Sequence, residues 1–153
     1  MEIRVQEQDF DLGTEVSRMR AGKPAIGAIA AFVGLVRDIN EESGVSSLTL
    51  EHYPGMTEKS LAGIAEEAAR RWRILDLTII HRIGELHPTD QIVLVAVASS
   101  HRGDAFSACE FIMDYLKTQA PFWKKEQGEA GTRWVEARHS DKDAAKRWNV
   151  GDD

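Results

Sequence analysis

The chain has 153 residues, 42% of them apolar and 29% charged, which suits one globular domain with a core of its own. Its net charge of −6 argues against a general nucleic-acid binder but leaves room for a local cationic pocket that takes a small anion. The longest apolar run, Ala25 to Val36, is broken by Gly27 and Gly34 and falls short of the roughly 20 residues of a membrane-spanning helix.

Ile3 and Val5 alternate with charges and predict a short first strand. The acidic segment that begins the chain has no signal-peptide pattern, so a cytoplasmic location is expected. Thr14 is a candidate cap for a short helix that turns Leu12, Val16 and Met19 inward and stops at Gly22 and Pro24. Ala25 to Arg37 reads as a long strand buried on both faces. After the polar stretch DINEESG, the segment SSLTLEHY alternates cleanly, and these two strands are expected to form a hairpin.

Pro54 and Gly55 end that strand. Thr57 is a candidate cap for the next helix, with Met56 stapled on Leu61 and an inner stripe of Leu61, Ile64, Ala65, Ala68 and Trp72. Glu66, Glu67, Arg70, Arg71 and Arg73 read as a solvated face with i,i+4 pairs. Leu75 to Ile83 and Gln91 to Ser100 are two further strands joined by a turn around Pro88. A helix from about Asp104 to Gln119 carries Phe106, Cys109, Met113 and Leu116 as its apolar stripe, and Pro121 stops it. Thr132 to Ala137 is a last strand, and Ser140 with Asp143 caps a short terminal helix. Adjacent strands with no helix between them imply antiparallel pairing, hence an α+β fold with an antiparallel or mixed sheet and packed helices. Residues 1–148 are read as a single catalytic domain and 149–153 as a disordered acidic tail.

Three groups are candidates for chemistry. His101, Arg102 and Gly103 stand where a strand gives way to a helix, and helix N-termini offer free amides and a positive dipole end to anions. The plain alternative is that Asp104 caps the helix and the two cations offset it. Lys117 and Lys124 flank Pro121; two converging ammonium groups lower each other's pKa and make one a candidate base or nucleophile. The alternative is that Lys117 neutralises the helix end, paired with Asp114 one turn back. Arg37, at a strand end, either clamps an anion or pairs with Asp38 or a loop glutamate, and Arg133, Glu136 and Arg138 admit the same two readings. Cys109, the single cysteine, reads as core, and Phe122 with Trp123 reads as a core anchor, the alternative being a recognition patch. His52, His81 and His87 show no metal-ligand spacing, so no metal site is expected, and no nucleotide-binding glycine motif is present.

The segments AFVGLVRD, LEHYPGMTEK, ASSHRGDAF and IMDYLKTQAPFWKKE carry more than their spacing does. Through them the chain, from about Ala25 to Trp148, resembles the large catalytic subunit family of molybdopterin synthase. The resemblance implies an α/β-hammerhead-like fold and a homodimer that forms the core of a heterotetramer, with a small ubiquitin-like sulfur-carrier subunit on each end. It also implies a sulfurtransferase of molybdenum cofactor biosynthesis. Cyclic pyranopterin monophosphate becomes molybdopterin as sulfur passes from the thiocarboxylated C-terminal glycine of the small subunit to form the dithiolene. No cofactor is implied. By the same resemblance Lys117 and Lys124 are the catalytic lysines. Arg37, His101, Arg102 and Arg138 line the anion and pterin pocket, with Phe32, Met113 and Glu126 as further pocket positions, and both copies of the dimer contribute to one site. Thr89 departs from the family pattern, since a glycine is common there. The rival readings are a non-catalytic docking module for a ubiquitin-like protein, and a phosphate-ester hydrolase that works alone through His101 and Arg102.

Overall fold

A computed structural model describes residues 1–37, 45–120, 122–128, 131–135 and 144–149, with the backbone alone for 45–46, 123–128 and 131–135. Eight strands form two four-stranded sheets among these residues. They are β1 (Glu2–Gln6), β2 (Ala28–Leu35), β3 (Val45–His52), β4 (Asp76–Arg82), β5 (Gly84–Leu86), β6 (Gln91–Ser99), β7 (Phe122–Gly128) and β8 (Gly131–Val135). The helices are α1 (Leu12–Arg20), α2 (Met56–Arg71) and α3 (Arg102–Gln119), and a 3-10 turn covers Arg147–Asn149.

The first sheet runs β1-β4-β6-β2, parallel between β1 and β4 and antiparallel elsewhere. Its inner strand β6 shows why a two-residue period matters. Val93, Val95 and Val97 join the core beneath α2 and α3, while Leu94, Ala96 and Ala98 join a second core with Phe10 and with Met19 of α1. The sheet is thus covered on both faces, and each fully buried aliphatic side chain contributes about 1.5–3 kcal/mol. The second sheet runs β5-β3-β7-β8, all antiparallel, and sends Leu48, Leu50 and Leu86 into the first of those cores. The chain steps from β4 into the second sheet at Gly84, whose φ of 85° lies where glycine alone is unstrained.

The α+β architecture matches the sequence reading, but several local expectations do not hold. The expected hairpin is absent: β2 pairs with β6 in one sheet, and β3 pairs with β5 and β7 in the other. The apolar face of β3 finds Leu86 and Phe122, partners that its neighbour in sequence does not offer. Nor is β2 buried on both faces, because it is the edge of its sheet; Phe32 is 42% exposed and Leu35 54%. The strands β5 and β7 were not read from the sequence, being short in one case and strongly charged in the other. Asp11, not Thr14, caps α1 by accepting the Thr14 amide at 2.8 Å, and Leu12 is exposed. Gly55 (φ 86°) precedes α2, with its amide donated to Glu58, while Thr57 is buried and donates its hydroxyl to the Tyr53 carbonyl. Met56 is exposed and staples nothing, and Phe106 is exposed rather than part of the buried stripe. Glu67 does pair with Arg70 and Arg71. The Ser140–Asp143 cap lies outside the described residues.

Candidate functional site

Helix α3 positions most of the candidates. At about 100° per residue, Arg102, Phe106, Cys109, Met113 and Lys117 share one stripe of it. The middle of that stripe is dry: the Cys109 thiol donates to the Val95 carbonyl at 3.6 Å and lies against the Phe32 backbone of β2. Burial pushes this thiol up to about 11, so it is a core group and not a sulfur nucleophile. Met113 is also buried, whereas Arg102 at one end and Lys117 at the other are exposed.

The N-terminal end of α3 is braced from behind. Ser99 donates its hydroxyl to the Arg73 carbonyl at 2.6 Å, and the Arg73 amide donates to Asp104 at 3.1 Å. Asp104 therefore does not cap the helix, contrary to the plain reading. The capping position is His101, which makes no side-chain cap hydrogen bond, and His101, Arg102 and Gly103 are all exposed. A Cβ on Gly103 would meet open space. This end can receive an anion between helix amides and two cationic or hydrogen-bonding side chains. Sequence reasoning missed Gly27: its amide donates to Ser99 O at 3.0 Å, and a Cβ there would stand 2.2 Å from Ser100 O, against the residue that precedes His101. Only the glycine inside an apolar run hinted at such a close approach.

At the other end, Lys117 occupies the last turn of α3. The Asp114 carboxylate, one turn back, takes Arg147 at 2.7 Å and the Trp148 indole, tying the 3-10 turn to α3. Arg37 is exposed two residues beyond β2, and the backbone just before it is held by Val36 N to Asp90 O (2.9 Å) and Thr89 N to Val36 O (2.8 Å). Lys124 pairs in register with Leu50 and Val135, and Glu126 with Leu48 and Arg133. Glu136 and Arg138 lie outside the described residues.

The candidates thus fall into two groups. Since α3 runs back along β6 toward the Leu35 end of β2, Met113, Lys117 and Arg37 lie toward that end, with Phe32 level with Cys109 near the middle of the helix. His101 and Arg102 stand at the opposite end, roughly 22 Å from Lys117 along the helix axis at 1.5 Å per residue. One small anion within a single chain does not reach both. Two cavities, of about 360 and 300 Å³, are lined by other residues: one around Glu15, Arg18, Lys23 and Asp76, the other around Glu67, Arg71, Phe111 and Tyr115. No group of three His, Cys, Asp or Glu among the described residues could hold a metal ion, and no helix among them is long and apolar enough to cross a membrane.

Comparison with known proteins places this arrangement. The family model described as MoaE protein matches residues 5–119. The molybdopterin synthase catalytic subunit of Ralstonia nicotianae is 65% identical over 148 residues, which cover 97% of this chain and 84% of that one. The solved molybdopterin biosynthesis MoaE protein of Burkholderia ambifaria superposes with a TM-score of 0.84 at 59% identity, over 97% of this chain and 98% of that one. A complex of subunits 1 and 2 of the molybdopterin-converting factor from Helicobacter pylori contains a chain with a TM-score of 0.71 at 18% identity, over 90% of each, which shows the shared fold. A family model matched over most of the chain and relatives this close lead to one conclusion: the chain belongs to the MoaE family of molybdopterin synthase catalytic subunits.

Proposed function

We propose that this transferase of molybdenum cofactor biosynthesis converts cyclic pyranopterin monophosphate to molybdopterin, taking sulfur from the thiocarboxylated C-terminal glycine of a small ubiquitin-like subunit. Residues 1–148 serve as its catalytic domain, and it acts in the cytoplasm. The observation that carries the reading is the electrostatics of α3. Its ends present His101, Arg102 and Lys117 to solvent, while the chain's single cysteine is buried and protonated between them. Such a protein suits two anionic guests, a phosphate and a thiocarboxylate, and needs its sulfur brought by a partner. The relatives' designation as subunits, and the two-subunit complex of the Helicobacter pylori neighbour, support that partner.

Lys117 and Lys124 transfer protons and stabilise the charge that develops as sulfur leaves the acyl group. Arg37, His101, Arg102 and Arg138 hold the phosphate and pterin, and Phe32, Met113 and Glu126 shape the pocket. The separation of the two ends of α3 is met by a homodimer in which each site draws on both copies, forming the core of a heterotetramer. Lys117→Ala tests the reading. The complex with the small subunit still forms and product is lost; turnover at the parental rate would assign the chain a docking role instead. Product formed from the purified chain without the thiocarboxylated partner would point to a hydrolase.

A further inference from the structure

We infer that Phe122, held by the imidazoles of His81 and His52, is the positioning residue that fixes the Lys124-bearing strand relative to Lys117. The inference rests on the proposed roles of the two lysines. Helix α3 ends at its cap Ala120, the Phe122 amide donates to the Ala120 carbonyl at 2.9 Å, and β7 begins at Phe122 itself. Phe122 is thus the first strand residue after the helix that carries Lys117, two residues before Lys124.

Its ring stacks with a residue of each sheet. The His81 imidazole of β4 lies nearly parallel to it, centroid to centroid 3.7 Å at an interplanar angle of 17°, and His52 of β3 stacks at 6.4 Å and 30°. Both histidines are themselves fixed. His81 is buried, and its Nδ1 is 2.8 Å from the Arg82 carbonyl, which can only accept, so Nδ1 carries the proton. His52 Nδ1 is 3.1 Å from Thr57 Oγ1, whose own proton goes to the Tyr53 carbonyl at 2.9 Å, so His52 Nδ1 is again the donor. Two imidazoles with assigned tautomers, one from each sheet, thereby set the plane and height of a single ring.

Apolar burial alone does not call for this arrangement, since a leucine fills such a place. What a flat ring stacked on a flat ring adds is a defined offset and orientation. That matters where a strand must deliver a lysine to a reacting acyl group, because an error of about 1 Å there costs about a hundredfold in rate.

The test uses the full chain in complex with its thiocarboxylated small subunit. F122L and H81L, which keep apolar bulk and remove the stack, are expected to lower kcat roughly tenfold to a hundredfold with KM and small-subunit affinity unchanged. H81F, which keeps ring on ring, restores kcat. A second readout does not depend on turnover: the yield of a short amine-reactive cross-link between Lys117 and Lys124 in the folded chain, read by mass spectrometry, falls in both leucine variants and returns in H81F. Unchanged kcat and cross-link yield in the leucine variants overturn the inference, as does an H81F variant no better than H81L. If F122L does not fold, the two His81 variants decide. Should Lys117→Ala and Lys124→Ala retain turnover while the cross-link still responds to the leucine variants, the stack positions the strand and it is the assignment of the lysines that fails.

Discussion

Replacing Thr89 with glycine should stabilise the protein, and the size of the gain follows from one backbone angle. Thr89 has φ 77° and is the one non-glycine residue with positive φ among the described residues. A Cβ in the left-handed region costs about 1–2 kcal/mol, and a β-branched side chain is especially unwelcome there. The turn nevertheless holds Thr89 in place. Its amide donates to Val36 O at 2.8 Å, Asp90 N donates to His87 O at 2.9 Å, and the Asp90 carboxylate accepts the His87 amide at 2.9 Å. Glycine removes the strain and keeps every one of these bonds, at a cost of about 0.5–1 kcal/mol in unfolded-chain entropy. The net gain is about 0.5–1 kcal/mol, or about 1–4 °C in Tm for a chain of this size. Urea titration with an unchanged slope, alongside calorimetry, reads it. Asparagine should fall between glycine and threonine, and valine should be no better than threonine. Turnover should persist, since the turn still anchors Val36, the residue before Arg37. A Thr89→Gly variant that melts lower than the parent, or asparagine and valine variants of equal stability, would refute the reasoning.

Three further outcomes are expected. Cys109, with its thiol pushed up to about 11 by burial, is about one part in a thousand thiolate at pH 8; thiol reagents should label it slowly in the native chain and fully in urea, and stoichiometric native labelling would contradict the assignment. Gly27→Ala places a Cβ 2.2 Å from Ser100 O, so it should destabilise by about 1–3 kcal/mol in urea titration and lower turnover, because the displaced backbone leads into His101. Burial raises the Asp76 carboxyl, but Lys23, the Leu77 amide and the Met1 ammonium outweigh it and hold the group below its ordinary value. Its stabilisation is therefore present above the unfolded pKa of about 3.9 and is lost as pH falls through the lower folded value. Asp76→Asn should melt lower than the parent at pH 7, the difference should close in acid, and a gap independent of pH would count against the ion pairs.

What could be read from the chain follows the strength of local signals. The helix carrying Ile64, Ala65 and Ala68 and the strand Val93–Val97 repeat their period over many residues, so both were legible. The strand FWKKEQG was not, because its regularity comes from pairing with β3 and not from alternation in its own sequence. Pairing partners were equally hidden: nothing in the sequence around Leu35 says that its neighbour is Gln91 and not a residue of SSLTLEHY. Of the site, the residue types at the ends of α3 were legible through helix-end chemistry, and Arg102 and Lys117 stand there exposed. The distance between those ends was not, although it follows from helix rise once the length is known. Glycines are the reverse case. The left-handed angle at Thr89 is a backbone requirement that suits glycine and that threonine at this position does not announce.

The geometry of α3 also constrains how the proposed homodimer completes a site. An isologous interface whose two-fold axis crosses α3 at a right angle sets two such helices in opposite directions, whereas an axis along α3 sets them parallel. Only the first arrangement would bring the N-terminal end of one α3 beside the C-terminal end of its mate, so the proposed shared site requires it, with His101 and Arg102 facing the Lys117 end across the interface. The surface beside α3 suits such packing. Edge strand β2 leaves Phe32 and Leu35 exposed, and Phe106 is 64% exposed on the same stripe of α3 as Arg102 and Lys117. Burying these side chains between copies supplies apolar contact where a monomer would expose it. It also lowers the local dielectric around the phosphate and thiocarboxylate, strengthening each lysine and arginine contact with them. In that proposed packing a dimer would carry two equivalent sites, one at each end of the paired helices, separated by about the length of α3.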